Sequence, residues 1–300
     1  MRAQGHGVGR WDLAEWPRAV QAEAPSRQAH PVMRTFKFTL AYDGGAYVGW
    51  QRQTNGTSVQ SCLELALAPF NSESVTLVGA GRTDAGVHAL AQVVSVRLSH
   101  PIEPATLLRA ANARLPEDVR VLETEVVPDD FHARFSATDK TYRYRLLGGP
   151  VTSPFERRYG WHMPGRLDYA SMAAAGRLLV GEHDFAAFQA IGSDVRTTIR
   201  TLFELNVGPP VDGAWGSGDT VATIDVRGSG FLRHMVRIIV GTLVEVGLGK
   251  RDSAAVADAI RLAVRPAAGQ TAPPQGLFLV RVGYGHQHAR VGPSDALSST

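Results

Sequence analysis

From residue 35 onward the apolar positions follow two periods, and the chain switches between them. Thr35-Phe-Lys-Phe-Thr-Leu-Ala-Tyr42 places Phe36, Phe38 and Leu40 on one side at a spacing of two, the pattern of a half-buried strand. Asp43-Gly44-Gly45 breaks it. Thr57-Ser-Val-Gln60 resembles a capping box, and it opens a helix with Val59, Leu63, Leu67 and Phe70 turned towards a core. The pattern then predicts a short strand over 75–78, a loop over 79–86, a strand over 92–98, a helix over 105–114 and an extended segment over 119–127. A similar rhythm follows. A strand is expected over 141–147, and a helix capped by Asp168 runs to about Val180. Strands over 201–207 and 221–226, helices over 231–246 and 253–264, and a closing strand over 276–284 complete it.

Strands and helices mix here without the regular βαβ alternation of a parallel sheet. The reading is therefore two α+β halves, residues 33–145 and 146–286, divided near residue 145. Residues 1–32 carry Gly5, Gly7, Gly9, Pro17, Pro25 and Pro31 without a sustained apolar period, so a disordered extension is expected, with Met33 a candidate translation start. Residues 287–300 are expected to form a flexible tail.

Composition narrows the class only slightly. No run of roughly 18 apolar residues occurs, so no membrane span is expected. Arg10, Asp12, Glu15 and Arg18 interrupt what would be the apolar core of a secretory signal. Cys62 is the single cysteine, which rules out an internal disulfide and suits a reducing cytoplasm. The histidines His132, His162, His183 and His234 are widely spaced and form no metal-ligand pattern, so neither a metal nor another cofactor is expected. Net charge is +3, and only Lys37, Lys140 and Lys250 among the 31 basic residues are lysines. That bias fits codon usage in a GC-rich genome, and it equally suits guanidinium forks that hold phosphates and stack on bases.

Three stretches could carry chemistry. In Gly79-Ala-Gly-Arg-Thr-Asp-Ala-Gly-Val-His88, glycines frame Arg82 and Asp84 between two strands. Such a loop allows close approach of a ligand to backbone, but it could also be a tight turn in which Asp84 bonds its own main chain. Residues 131–145 interleave basic and aromatic side chains, with Tyr142 and Tyr144 on one face of a strand and Arg143 and Arg145 on the other. Rings for bases and guanidiniums for phosphates suit a nucleic-acid surface, while tyrosine and arginine are also common on half-buried strands. In Gly228 to Gly241, Phe231, Met235 and Ile239 form an apolar stripe, and Arg233 and Arg237 recur four apart. An arginine within so apolar a helix requires a carboxylate partner, whether in a structural salt bridge or at a site.

Taken together, these stretches resemble the TruA-type family of tRNA pseudouridine synthases. The likeness extends through Tyr42-Asp-Gly, Gly49-Trp-Gln-Arg-Gln53, Phe131-His-Ala-Arg-Phe-Ser-Ala137 and Thr271-Ala-Pro-Pro-Gln-Gly-Leu277, in order, over roughly residues 35–284. The resemblance implies two similar, ferredoxin-like α/β-sandwich halves joined into one largely antiparallel sheet with a central cleft. It implies Asp84 as the nucleophile, Arg237 as its charge partner, Tyr142 against the target base, and Arg82 near the RNA backbone or flipped nucleotide. It further implies a homodimer acting on uridines 38 to 40 in the tRNA anticodon stem-loop. Two other readings stand beside it: a non-catalytic RNA-binding protein using the same cleft, and a carboxylate-dependent hydrolase, for which no paired acid accompanies Asp84.

Overall fold

A computed structural model describes residues 33–192, 195–213 and 220–285. The expected N-terminal extension and C-terminal tail lie outside these residues. The elements in order are β1 (Arg34–Tyr42), α1 (Val59–Leu67), β2 (Leu77–Gly79), β3 (His88–Leu98), α2 (Pro104–Asn112), β4 (Val119–Val127) and β5 (Ala137–Gly148). There follow β6 (Trp161–Met163), α3 (Tyr169–Arg177), β7 (Gly181–Asp184), β8 (Ile199–Val207), β9 (Val211–Asp212) and β10 (Thr220–Gly228). The order closes with α4 (Met235–Gly247), α5 (Ala254–Leu262) and β11 (Leu277–Tyr284).

All eleven strands join one sheet of principal order β4-β1-β3-β11-β5-β10-β8-β7, with β2 on β3, β6 on β5 and β9 on β10. The architecture is the expected α+β one, largely antiparallel. Two pairings run parallel: β6 with β5, and β11 with β3. The second of these holds the two arms of the sheet together through a short register, Phe278 opposite His88 and Leu279 opposite Ala89. Strand β1 occupies one edge of β3 along most of its length, so β2 and β11 share the other. The chain leaving β2 must therefore loop across the seam before it enters β3. The boundary read at residue 145 falls inside β5, whose length pairs with β10 and β11.

Alternation on β1 buries Phe36, Phe38 and Leu40 completely, and the same core continues under both arms to Ile224, Val226 and the buried face of α4. Helix α1 is capped by Ser58 and Ser61 in a reciprocal box, one residue further on than Thr57–Gln60 suggested. Helix α2 packs on β4, and α3 packs on α4 and β8. Among the described residues, no helix is long and apolar enough to cross a membrane.

One expectation is corrected in a way that matters below. The helix expected from Phe231 begins only at Met235, because His234 adopts a left-handed backbone, φ 59° and ψ 5°, and interrupts it. Phe231 and Arg233 therefore precede the helix, and Arg233 is exposed rather than aligned with Arg237. The strand expected from Gln92 starts four residues earlier, at His88.

Candidate active site

The loop from Ala80 to Val87 is pinned at several points. Ala80 N–H donates to Val93 O at 2.8 Å, and Trp50 N–H donates to Thr83 O at 3.0 Å. Gln92 Nε2 donates to Gly81 O at 2.9 Å, and the Thr83 and Tyr42 hydroxyls lie 2.9 Å apart. Burial pushes the Tyr42 phenol up to about 12, against the opposing hydrogen bonds of Thr83 and Gln92, so it stays neutral. Gly49 lies against this loop with φ 112°, and a Cβ there would stand 2.6 Å from Thr83 O. The loop is thus fixed by hydrogen bonds to main chain and to the Thr83 hydroxyl, and by close backbone packing.

This scaffold presents Asp84 outward. Its side chain is 31% exposed, and Oδ2 lies 3.3 Å from Arg237 Nη1 and 3.5 Å from His234 Nε2. No hydrogen bond reaches Oδ1 from the described residues. Arg237 is fixed in turn: its Nε donates to Ala272 O at 2.8 Å, and its own carbonyl accepts from Ala272 N–H at 3.0 Å. The segment carrying Ala272 is held from below, where the Tyr144 hydroxyl donates to Pro273 O at 2.8 Å. The arginine foreseen to need a carboxylate in an apolar helix therefore meets Asp84 across the seam. His234 was not singled out; its signal would have been its place three residues before Arg237, on the same approach to α4.

Tyr142 projects from β5 towards the loop, its hydroxyl 3.9 Å from the position a Cβ on Gly81 would take. The ring is 7% exposed and meets Phe231 edge to face at 5.1 Å. Burial first, and then the nearby Tyr42 and Asp84, raise its phenol far above the ordinary value, so it offers a neutral hydroxyl. Lys140, on the same strand, packs its stem against Gly81; burial and the charge of Arg134 lower its pKa, and Asp139 opposes them. Arg82 and Arg134 are exposed beside the loop. The structure does not leave Arg143 and Arg145 free for phosphate. Arg143 forms a bidentate pair with Asp225 at 2.8 Å, its partner in register on β10, and Arg145 binds Glu156 at 2.5 Å and Tyr159 O at 3.0 Å.

Below the seam a second polar cluster joins the arms. Asp43 Oδ2 accepts from Arg158 Nη2 at 2.9 Å and from the Tyr159 hydroxyl at 3.0 Å, while its Oδ1 lies 3.0 Å from His88 Nδ1. The His88 ring stacks on Phe278 at 4.6 Å, where β3 and β11 meet. Burial opposes ionisation of Asp43, but the Gly45 N–H, the Tyr159 hydroxyl and the charges of His88 and Arg158 outweigh it and hold the carboxyl below its ordinary value. Burial lowers the pKa of His88, and Asp43 offsets this only in part.

Another depression, bordered by Asp168, Ser171, Gly247 and Arg251, lies at the far end of α4, a helix length of about 20 Å from His234. Its arginine is already engaged by Glu245 and Ala267 O.

The sequence profile described as tRNA pseudouridine synthase matches residues 39–136 and 175–285. The tRNA pseudouridine synthase A of Syntrophotalea carbinolica is 46% identical over 255 residues, covering 85% of this chain and 98% of that protein. Its namesake in Geobacter sulfurreducens is 45% identical over 250 residues, covering 83% and 99%. A solved Cbf5-Nop10-Gar1 complex aligns over 82% of this chain and 49% of the matched one, with TM-score 0.32 and 13% identity; likeness at that level carries no functional weight. The sequence matches make this chain an isomerase. It belongs to the tRNA pseudouridine synthase family.

Proposed function

We propose that this enzyme converts uridines 38 to 40 of the tRNA anticodon arm to pseudouridine, with Asp84 as the nucleophile. The observation that carries the reading is the half-open carboxylate at the seam, paired with Arg237 through one oxygen only. The reaction breaks the N1–C1′ bond, turns the uracil and joins C5 to C1′; C5 loses a proton and N1 gains one, so atoms and oxidation state are unchanged overall. A carboxylate that adds covalently to the nucleotide divides this displacement into easier steps. Arg237 fixes the direction of the acid through a charge-assisted hydrogen bond.

The target base must leave its stack, at a cost of roughly a few kcal/mol. Tyr142 and Phe231 offer it an aromatic edge, and contact with such rings offsets about 1–3 kcal/mol per base. Arg82, Arg134 and Lys140 surround the loop with cations for the phosphates on either side. Family likeness supports a cytoplasmic homodimer that grips the anticodon stem-loop.

The test is incubation with unmodified tRNA, followed by mapping of carbodiimide-dependent reverse-transcription stops. Stops at anticodon-arm uridines are expected with the wild type and none with Asp84→Asn, which should still bind tRNA. Robust turnover by that variant refutes the nucleophile; released uracil would indicate a hydrolase, and binding without stops in the wild type a passive RNA binder.

A further inference from the structure

Among the described residues, two that are not glycine have a left-handed backbone, Ala263 and His234. Glycine takes that conformation more readily than histidine. His234 occupies the N-cap position of α4, yet its side chain makes no capping bond to the helix. Capping therefore does not explain the imidazole at this strained position. The ring instead reaches Asp84, with Nε2 3.5 Å from the same Oδ2 that Arg237 Nη1 approaches at 3.3 Å. That separation is longer than a made hydrogen bond, as is common at reactive groups before substrate closes on them. Two groups from the start of one helix thus converge on one carboxylate oxygen, and among the described residues no hydrogen bond reaches the other.

Resting on the reading of Asp84 as nucleophile, we propose that His234 is a positioning residue. Its Nε2–H shares Oδ2 with Arg237 and turns Oδ1 towards the uridine. The division of labour is chemical. Arg237 brings a permanent charge, whereas a neutral imidazole adds direction without a second cation that would draw electron density from the attacking oxygen. The groups around the ring favour its neutral form. Burial lowers the pKa of His234 most, Asp84 raises it, and the charges of Arg237, Arg233 and Arg265 lower it again. At neutral pH the ring is therefore uncharged and able to donate from Nε2. Because its pKa is lowered, it gains a proton only once pH has fallen below the ordinary imidazole range, and a second full charge then rests on Asp84.

His234→Gly and His234→Asn discriminate between a ring that acts and a backbone that merely turns, because both residues accept φ 59°. Both variants should melt no lower than the wild type and bind anticodon-arm RNA with unchanged Kd. The glycine variant should form pseudouridine about tenfold more slowly in a single turnover, the effect of one lost hydrogen bond. The asparagine variant, whose amide can still donate, should recover part of that rate. The rate-loss limb of the wild type below pH 6.5 should be missing from the glycine variant. A glycine variant with wild-type rate and pH profile overturns the proposal, as does a defect confined to RNA affinity. Turnover by Asp84→Asn would overturn the nucleophile reading instead.

Discussion

At the scale of single residues, the site depends on one asymmetric contact. Among the described residues Arg237 meets no other carboxylate, and its guanidinium is divided between Asp84 and the Ala272 carbonyl. Hydrogen bonds to charged groups contribute about 1.5–3 kcal/mol, so Arg237→Met should slow single-turnover pseudouridine formation by roughly 10- to 150-fold while the fold survives. A rate within threefold of wild type would remove the arginine from the mechanism. Asp84 and Arg237 stood out as candidates in the sequence for different physical reasons, while the roles proposed for them came from the family resemblance. The acid stands between glycines on a turn, and the arginine interrupts an apolar helix where an unpaired charge is too costly to bury. Their meeting was not legible, since it joins positions 153 apart in the chain. His234 gave no signal of its own because a left-handed residue normally announces itself as glycine or asparagine.

Among the elements, strands with clean alternation, such as β1 and β10, follow the period of two closely. The first residues of β3 do not. His88 and Ala89, with Val87 just ahead of the strand, are all buried because the sheet and the seam enclose them from both sides, and alternation vanishes there. β6 and β7 are three and four residues of mixed polarity, too short for any period to emerge. The reactive loop owes its shape to neighbours rather than to its own sequence. Gly49 is the sharpest instance: its φ of 112° and the 2.6 Å approach to Thr83 O leave no room for a methyl group. Gly49→Ala should therefore cost on the order of 1–3 kcal/mol and lower the Tm by several degrees. Calorimetry checks the stability, and an equal Tm would show that the loop can yield. If Asp84 acts as proposed, activity should fall with it, because Trp50 N–H holds Thr83, the residue before Asp84.

Across the whole molecule, the two arms are held by the short seam, the shared core and the cluster around Asp43. Asp43 and His88 of that cluster both have lowered pKa values in the folded protein, and the sign of the effect is the same for each. Neutral His88 favours the fold fully above pH 6.5, and that contribution is lost as pH falls through the lower folded value. Ionised Asp43 favours it above pH 3.8, with loss at still lower pH. The Tm should accordingly fall on acidification from pH 7, first through His88. In His88→Gln the early part of that decline should flatten relative to wild type in parallel calorimetric titrations; superimposable curves would exclude the imidazole as its source.

The order of the strands also bears on how the protein is made. Strand β11 follows all the others in the chain but lies in the middle of the sheet, between β3 and β5. While the ribosome is still translating it, β1, β3 and β4 can pair with one another, and so can β5, β8 and β10, as two unjoined sub-sheets. Only when residues 277–284 emerge can Phe278 dock beside His88 and unite them. A prematurely terminated chain that stops short of this strand would carry Asp84 and Arg237 alike, yet lack the keystone that brings them face to face, and so could not modify RNA before its synthesis is complete.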